Sequence, residues 1–280
     1  MELLTEIRVM QQVAHEPRAA GRTIALVPTM GFFHEGHLSL MRLGRARGDL
    51  LVVSLFVNPT QFGPGEDFKE YPRDLDRDLR LAAEVGVDLI FEPSVEAMYP
   101  PGFQTFVTVE EVTRGLCGAA RPGHFRGVAT VVAKLFHIVK PHVAIFGEKD
   151  YQQLVTIRRM VRDLNLDIEV VGHPIVREPD GLALSSRNLY LSPAERVSAR
   201  SLSQALERAK ALYRAGERQA AVLAAEARGV IEAQPHTRVD YVAVCDRETL
   251  EPLDEVKEGA VVALAVFVGR ARLIDNCLLP

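Results

Sequence analysis

The chain has 280 residues, of which 48% are hydrophobic and 25% are charged, and this composition excludes a disordered or fibrous protein. A chain of this length typically forms about two domains. The formal net charge of −4, from 37 acidic and 33 basic residues, excludes a general electrostatic attraction to nucleic acid phosphates.

The first part of the chain contains short apolar runs that alternate with helical patterns. Residues 23–27 predict a strand that ends at Pro28, residues 35–47 predict a helix, and residues 50–57 predict a second strand, which completes a βαβ unit. Further strands are predicted at residues 87–91, at residues 143–146 and within residues 168–176. Because these runs do not alternate between apolar and polar residues, they predict an α/β fold with a Rossmann-like, doubly wound parallel sheet.

The pattern changes after residue 176. Residues 193–215 and 217–233 predict two helices, and the first of them carries a Ser-Pro-x-Glu start signal at residues 192–195. Strand-like runs follow at residues 239–245, 261–268 and 272–274, without a helix between them. We therefore expect a domain boundary near residue 176, with a Rossmann-like domain at residues 1–176 and a smaller α+β domain with a short antiparallel sheet at residues 177–280.

A pair of histidines follows the first predicted strand, in the sequence His34-Glu35-Gly36-His37. The N-terminus of a helix at this point of a doubly wound sheet directs N–H groups toward the crevice in which nucleotides bind. Histidines three positions apart lie on one side of the turn and can donate hydrogen bonds to phosphate oxygens. The structural alternative is a turn histidine followed by a capping histidine, and no third His or Cys nearby favours a metal site.

A second polar segment, Leu184-Ser185-Ser186-Arg187-Asn188, lies close to the predicted domain boundary. Its hydroxyls and guanidinium could neutralise a pyrophosphate leaving group if the segment closed over a bound triphosphate. A surface loop that simply precedes a helix is the alternative interpretation.

These two signals belong to a set of seven segments in a fixed order. The segments are VPTMG at 27–31, HEGH at 34–37, FVNPTQF at 56–62, YPR at 71–73, RPGHFRGV at 121–128, FGEKDYQQ at 146–153 and DGLALSSRN at 180–188. The set resembles the class I adenylyl-transferring superfamily and, more specifically, the pantoate–β-alanine ligase family.

The resemblance implies a reaction in two steps. Pantoate attacks the α-phosphorus of ATP to give pantoyl adenylate and pyrophosphate, and the amine of β-alanine then releases AMP and pantothenate. ATP is the implied substrate, with Mg²⁺ held mainly by its phosphates and by no dedicated protein ligands. Residues 1–176 would bind ATP and pantoate, and residues 177–280 would form a lid.

Roles are carried over position by position. The implied catalytic residues are His34, His37, Lys149 and Arg187. The implied ATP-binding residues are Pro28, Thr29, Met30, His34, Gly36, His37, Gly147, Glu148, Lys149, Asp150, Val176, Leu184, Ser185, Ser186 and Arg187.

Two amides are the implied pantoate-binding groups. Gln61 and Gln153 each offer a donor and an acceptor, which suits a hydroxy acid, and the resemblance also implies that Gln61 binds β-alanine. The RPGHFRGV segment, with Arg121 and His124, is expected to be structural or to lie at an interface.

The chain departs from the family pattern at four positions. Phe32 and Phe33 are bulkier than expected before the first histidine, and Thr60 and Leu184 stand where methionine is common. Thr60 is expected to alter the apolar wall around the methyl groups of pantoate. None of the four departures removes a polar catalytic group.

Two other functions remain open at this stage. A related nucleotidylyltransferase would transfer AMP to a phosphorylated acceptor, for which several basic residues would suit better than Gln61 and Gln153. A non-catalytic nucleotide-binding module would not need the Ser-Ser-Arg segment. A tRNA-charging enzyme is disfavoured by the short chain and its acidic balance.

Location and assembly follow from simpler features. The three cysteines are far apart and odd in number, the N-terminus has no export signal, and the longest apolar run, residues 260–269, is too short to span a membrane. We therefore expect a cytoplasmic protein without nucleic acid or membrane partners. The resemblance implies a homodimer formed through the N-terminal domain, to which residues 107–109 or 121–128 would contribute.

Overall fold

The computed structural model describes residues 1–257 and 259–280, which divide into two compact units. Unit 1 comprises Met1–Glu110, Arg121–Glu148 and Thr156–Pro174, and unit 2 comprises Glu111–Ala120, Lys149–Val155 and Ile175–Pro280. This division differs from a single boundary after residue 176, because two short segments from the first part of the chain group with the C-terminal part. The two-domain boundary itself remains a prediction.

Unit 1 is built on a parallel sheet. Its strands in the described residues are β1 (Glu2–Leu4), β2 (Ile24–Thr29), β3 (Leu50–Leu55), β4 (Leu89–Phe91), β5 (Val143–Gly147) and β6 (Glu169–His173). The strands lie in the order β1-β4-β3-β2-β5-β6, and each neighbouring pair is parallel. The predicted α/β fold with a Rossmann-like parallel sheet is confirmed.

The helices, in chain order, are α1 (Ile7–Ala19), α2 (Glu35–Arg47), α3 (Leu75–Val85), α4 (Val95–Met98), α5 (Leu116–Ala120), α6 (His124–Val139), α7 (Tyr151–Asp163), α8 (Pro193–Ala199), α9 (Ser201–Arg214) and α10 (Ala220–Glu232). Short 3-10 helices cover Pro59–Gln61, Glu111–Thr113, Glu148–Asp150 and Ser186–Tyr190. No helix in the described part of the chain is both long and apolar enough to cross a bilayer.

The central strands of unit 1 are covered on both faces, which explains their apolar, non-alternating sequences. Val27, Leu51, Val53 and Ile145 are completely buried and belong to one core cluster that also contains Met41 of α2. The chain runs from β2 through β3 to β4 on one side, whereas β5 pairs with the other side of β2. The carboxyl ends of β2 and β5 therefore flank the point at which the strand order reverses, where ligands of doubly wound sheets bind.

Several strand predictions need correction. The strand predicted at residues 23–27 continues through Pro28 to Thr29. A proline has no N–H to donate to a neighbouring strand, but Pro28 lies past the two residues through which β2 pairs with β5. This strand is also the second strand in the chain, since β1 and α1 precede it. β1 has only three residues at the edge of the sheet, too few to give a recognisable pattern. β3 ends at Leu55, before the predicted residue 57.

Unit 2 contains the predicted antiparallel sheet. Its strands are β7 (Thr237–Asp246), β8 (Ala260–Val268) and β9 (Ala271–Leu279), with β8 in the centre. The helix predicted at residues 193–215 is divided into α8 and α9 at Arg200. The predicted start signal is confirmed: Glu195 N–H donates to Ser192 Oγ at 3.4 Å, and Ser192 N–H donates to Glu195 Oε2 at 2.8 Å.

The last strand is three times as long as the predicted run at residues 272–274, because buried polar residues interrupt its apolar pattern. Asp275 accepts two hydrogen bonds from Arg177, at 2.6 and 2.9 Å. Asn276 Nδ2 donates to Lys149 O at 3.0 Å. These partners satisfy the buried polar groups, so β9 continues through both residues.

Candidate active site

The turn after β2 is fixed by hydrogen bonds from both sides. Thr29 Oγ1 donates to Ser54 O of β3 at 2.7 Å, and Gly31 N–H donates to Thr29 Oγ1 at 3.3 Å. Phe33 is completely buried in the core of unit 1. The bulky side chain, which departs from the family pattern, is thus accommodated by packing in this core.

His34 and His37 stand together at the start of α2. Their ring centroids are 4.1 Å apart, and His34 N–H donates to His37 Nδ1 at 3.3 Å. Because Nδ1 accepts this bond, a neutral His37 ring carries its proton on Nε2. The predicted pairing of the two histidines at a helix N-terminus is present in the structure, and it gives His37 the tautomer that donates through Nε2.

Gln61 ends the 3-10 helix that follows β3, and its amide is held at both ends. Asn58 Nδ2 donates to Gln61 Oε1 at 3.2 Å, and Gln61 Nε2 contacts Met30 Sδ at 3.1 Å. The structure thus brings the implied pantoate residue next to Met30, one of the implied ATP-binding residues. Asn58 is almost completely buried and also donates to Gly127 O at 3.1 Å.

The RPGHFRGV segment holds the backbone of Gln61. His124 Nδ1 lies 2.8 Å from Gln61 O, and Arg121 Nη2 donates to the same oxygen at 3.2 Å. Arg121 also donates to the carboxylate of Glu66, from Nε at 2.8 Å. Burial raises the pKa of Glu66, but hydrogen bonds and charge from Arg121 outweigh burial, so the pKa lies below its ordinary value.

α6 approaches the same 3-10 helix closely at Gly127. A Cβ atom at this position would stand 2.3 Å from Thr60 O, so only glycine fits there. The segment therefore has a structural role inside unit 1.

Thr60 is part of a hydrogen-bonded network. Its Oγ1 donates to Asn58 Oδ1 at 2.9 Å, and Tyr99 OH donates to the same oxygen at 2.8 Å. The hydroxyl that replaces a common methionine is therefore satisfied within unit 1. The expected effect of Thr60 on the apolar wall around pantoate stays a prediction.

Gly147 ends β5, and the 3-10 helix of residues 148–150 follows it. Since β2 and β5 are parallel neighbours, Gly147 lies at the same edge of the sheet as the turn that leads to His34. A Cβ atom built on Gly147 would have no other heavy atom of the described residues within 4 Å, so the space beside this glycine is open to a ligand. This arrangement in unit 1 is the one expected for nucleotide binding between two strand ends.

The remaining predicted residues lie in unit 2. Lys149 Nζ stands 3.8 Å from Asp150 Oδ2. Gln153 is half-buried in the first turn of α7. Its neighbour Gln152 is buried, with Nε2 donating to Val112 O and Gly115 O at 3.0 and 2.9 Å and Oε1 accepting from Cys117 N–H at 3.0 Å.

The Leu184–Asn188 segment follows a short antiparallel turn and is hydrogen-bonded to the residues that lead into it. Leu184 N–H donates to Val176 O at 3.0 Å, which brings together two of the implied ATP-binding residues. Ser185 Oγ accepts from Arg187 N–H at 3.3 Å, and Ser186 is buried at the start of the 3-10 helix.

A network of charged side chains, formed by Arg196, Glu178 and Asp180, holds this turn in place. Arg196 donates to both oxygens of Glu178, at 3.0 and 2.7 Å, and to Asp180 at 2.9 Å. The hydrogen bond from Arg196 is the main reason that the pKa of Glu178 lies below its ordinary value. Asn188 Nδ2 donates to Glu178 Oε1 at 2.7 Å, which ties the end of the polar segment to the same network.

The predicted site residues are divided between the two units. Unit 1 holds Pro28, Thr29, Met30, His34, Gly36, His37, Gln61, Gly147 and Glu148, and unit 2 holds Lys149, Asp150, Gln153, Val176, Leu184, Ser185, Ser186 and Arg187. Sequence reasoning missed Asn58, Glu66, Asp78 and Arg196, which hold these residues in place. In residues 1–257 and 259–280, no group of three or more His, Cys, Asp or Glu side chains could hold a metal ion.

Backbone N–H groups and histidine side chains meet at the N-terminus of α2, beside the point at which the strand order of the sheet reverses. This arrangement is typical of nucleotide-binding α/β proteins. A sequence model of the family described as pantoate-beta-alanine ligase matches residues 2–278. The chain belongs to the pantoate–β-alanine ligase family, which confirms the resemblance seen in its sequence. It is an enzyme of the ATP-dependent, AMP-forming ligase class.

Individual relatives match this chain over almost their whole length. Pantothenate synthetases from Syntrophobacter fumaroxidans and Geobacter sulfurreducens are 60% and 57% identical to this chain over 279 residues, which cover 100% of this chain and 99% of each relative. A crystal structure of pantothenate synthetase from Thermus thermophilus is 50% identical, with a TM-score of 0.94 and 99% of both chains covered.

A second solved relative was captured with ligands. The pantoate-beta-alanine ligase from Francisella tularensis, complexed with beta-gamma ATP and beta-alanine, is 32% identical to this chain, with a TM-score of 0.82. The match covers 99% of this chain and 97% of that one.

Proposed function

We propose that this chain condenses pantoate with β-alanine, consuming ATP, through a pantoyl adenylate. The carboxylate of pantoate attacks the α-phosphorus and pyrophosphate leaves. The amine of β-alanine then attacks the acyl carbon, which forms the amide of pantothenate and releases AMP. The observation that carries this proposal is the contact between Gln61 and Met30, because it joins the implied pantoate residue to the nucleotide-binding turn.

The histidines act on the phosphates in this proposal. A carboxylate that attacks phosphorus forces negative charge onto the phosphate oxygens, and preorganised donors stabilise that charge. His37, which carries its proton on Nε2 when neutral, is such a donor, and His34 fixes its ring through the bond to Nδ1. Lys149 and Arg187 supply positive charge for the pyrophosphate that leaves.

The other predicted residues bind rather than react. Gln61 and Gln153 hold the hydroxyl and carboxylate of pantoate, and Gln61 then receives β-alanine. Asp150 accepts from the ribose hydroxyls, while the backbones of Gly147 and Val176 approach the nucleoside. Ser185 and Ser186 donate to phosphate oxygens from the polar segment.

Mg²⁺ enters this proposal as the counter-ion of ATP. Bound with ATP, it would neutralise part of the triphosphate charge. The residues of this chain then orient the triphosphate and the attacking carboxylate.

We also propose a cytoplasmic homodimer that forms through residues 107–109. Thr108 is exposed, Val107 and Val109 are half-buried, and Val107 N–H donates to Thr130 Oγ1 at 3.0 Å. Residues 121–128 fit this role less well because they hold Gln61 within the subunit. Sedimentation of Val107→Asp should show monomers where the wild type shows dimers, and an unchanged mass would exclude this interface.

Exchange of labelled pyrophosphate into ATP tests the order of the two steps. If the adenylate forms first, exchange requires pantoate and Mg²⁺ but proceeds without β-alanine. Exchange that strictly requires β-alanine would contradict a separate adenylation step. Exchange with a phosphorylated acceptor in place of pantoate would support the nucleotidylyltransferase alternative, and no exchange under any condition would support a non-catalytic module.

A further inference from the structure

A buried carboxylate on α3 is bound to the turn that precedes the two histidines. Asp78 has only 1% of its surface exposed. Its Oδ2 accepts from Phe32 N–H at 2.6 Å, and its Oδ1 accepts from Phe33 N–H at 2.7 Å. A single side chain, 45 residues further along the sequence, therefore fixes two successive peptide groups.

The turn that Asp78 holds has an unfavourable backbone. Gly31 has a φ of 84°, and Phe32, which has a side chain, has a φ of 54° in the left-handed region. A Cβ atom on Gly31 would stand 3.1 Å from Asp78 Oδ2, so the carboxylate lies directly against the turn. Residues in such conformations persist only where surrounding contacts hold them, and they are frequent at functional sites.

The charge of Asp78 is compensated mainly by the two backbone N–H groups of the turn. Burial is the largest influence and raises the pKa of Asp78 above its ordinary value, although the two backbone hydrogen bonds and Arg77 lower it. Arg77 Nη1 stands 4.0 Å from Oδ1, too far for a hydrogen bond. The ionised carboxylate therefore depends on the two backbone N–H groups of the turn for its hydrogen bonds.

The turn leads directly into the histidine pair. His34 follows Phe33, and its N–H donates to His37 Nδ1. A displacement of the Phe32 and Phe33 peptide groups would therefore move the donor that orients the His37 ring. The coupling runs through the backbone of Phe33 and one hydrogen bond.

We propose that Asp78 is a positioning residue for adenylation, whose two carboxylate oxygens hold the turn of residues 31–33 so that His34 and His37 meet the phosphates. The proposal rests on the phosphate role of the histidines given above. Both oxygens must accept a hydrogen bond, which an aspartate can do and an asparagine cannot, because one side of its amide is a donor.

Asp78→Asn tests the proposal, with Asp76→Asn as the matched control. Asp76 lies two residues away on the same helix and is exposed, so its replacement removes the same charge without touching the turn. Asp78→Asn should slow pantoate-dependent pyrophosphate exchange by about 10- to 100-fold, since small misplacements of reacting groups have effects of this size. The reaction of supplied pantoyl adenylate with β-alanine should slow by less than about 3-fold, and Asp76→Asn should match the wild type in both.

Amide hydrogen exchange of residues 30–38 gives a second readout, and in Asp78→Asn it should be faster there than in the wild type. Asp78→Glu, which keeps the charge but shifts the oxygens by one methylene, should also slow adenylation. Wild-type adenylation in either variant, an equal loss in both half-reactions, or failure of both variants to fold would overturn the proposal. Absence of pantoate-dependent exchange in the wild type would instead overturn the proposed function.

Discussion

At the scale of single residues, the two glutamines at the start of α7 separate structure from binding. Gln152 is buried and makes three hydrogen bonds to backbone groups of residues 112–117. Gln153 is half-buried on the next position of the helix. The sequence alone assigns pantoate binding to Gln153 through family resemblance, whereas the surroundings of Gln152 explain why an amide is needed there as well.

We expect Gln153→Ala to weaken pantoate use far more than ATP binding. Loss of a hydrogen bond in a desolvated site costs about 1–3 kcal/mol, which raises the KM for pantoate by roughly 5- to 150-fold. Steady-state kinetics with each substrate varied in turn measures this effect. An equal loss of ATP affinity would place Gln153 in another subsite.

Gln152→Ala is the matched contrast. It should lower the free energy of unfolding by about 2 kcal/mol or more, because buried backbone groups lose their partners. Equilibrium unfolding in urea should show this loss, which Gln153→Ala should largely avoid.

At the scale of secondary-structure elements, the 3-10 helix Pro59–Gln61 is held in place by residues 121–128. His124 and Arg121 contact Gln61 O, and Glu66 binds Arg121. The segment predicted to be structural or interfacial thus supports Gln61, the residue proposed to bind pantoate. Its effect on pantoate is expected to be indirect.

Glu66→Gln should weaken this support in a pH-dependent way. The pKa of Glu66 is lowered in the folded protein, so the ionised carboxylate stabilises the fold at neutral pH. That contribution is present above the unfolded pKa and is lost as the pH falls through the lowered folded value. Unfolding free energies of wild type and Glu66→Gln should therefore differ by about 1 kcal/mol at neutral pH and converge as the pH falls below the ordinary pKa of a glutamate.

The same variant should raise the KM for pantoate a few-fold at neutral pH. Glu70→Gln, which replaces an exposed carboxylate four residues after Glu66, serves as the control. It should change neither the unfolding free energy nor the KM for pantoate. A difference in stability that persists unchanged into acid would show that the ion pair with Arg121 is not its source.

Elements with strong local signals were predictable from the sequence. α2 begins and ends where its pattern indicates, because the first histidine occupies the N-cap position and Gly48 follows the last turn. β9 was only partly predicted, since Asp275 and Asn276 are satisfied by partners at least 98 residues away. Contacts of this length leave no periodic signal in a sequence.

The same distinction applies to the candidate site. His34, His37, Gln61 and Gln153 could be named from motifs, because the resemblance ties each one to a role. Asp78 and Asn58 could not, since their importance comes from the turn and the amide that they hold in the folded chain. Residues that position others are visible only once the distances are known.

At the scale of the whole molecule, the sheet order determines which of the predicted site segments of unit 1 lie at one edge. The reversal between β2 and β5 brings the HEGH turn and Gly147 to the same edge of the sheet in unit 1. A family match over residues 2–278 extends through both units. The role proposed for His37 is to act on the phosphates during adenylation.

His37→Ala, with the two half-reactions measured separately, tests this claim most directly. His15→Ala, at an exposed position of α1, is the control for loss of a histidine. The account predicts that His37→Ala folds normally, binds ATP within a few-fold of wild type and forms pantoyl adenylate at least about 10²-fold more slowly. Supplied pantoyl adenylate should still react with β-alanine at close to the wild-type rate. An equal loss in both half-reactions, or a collapse of thermal stability, would contradict the account.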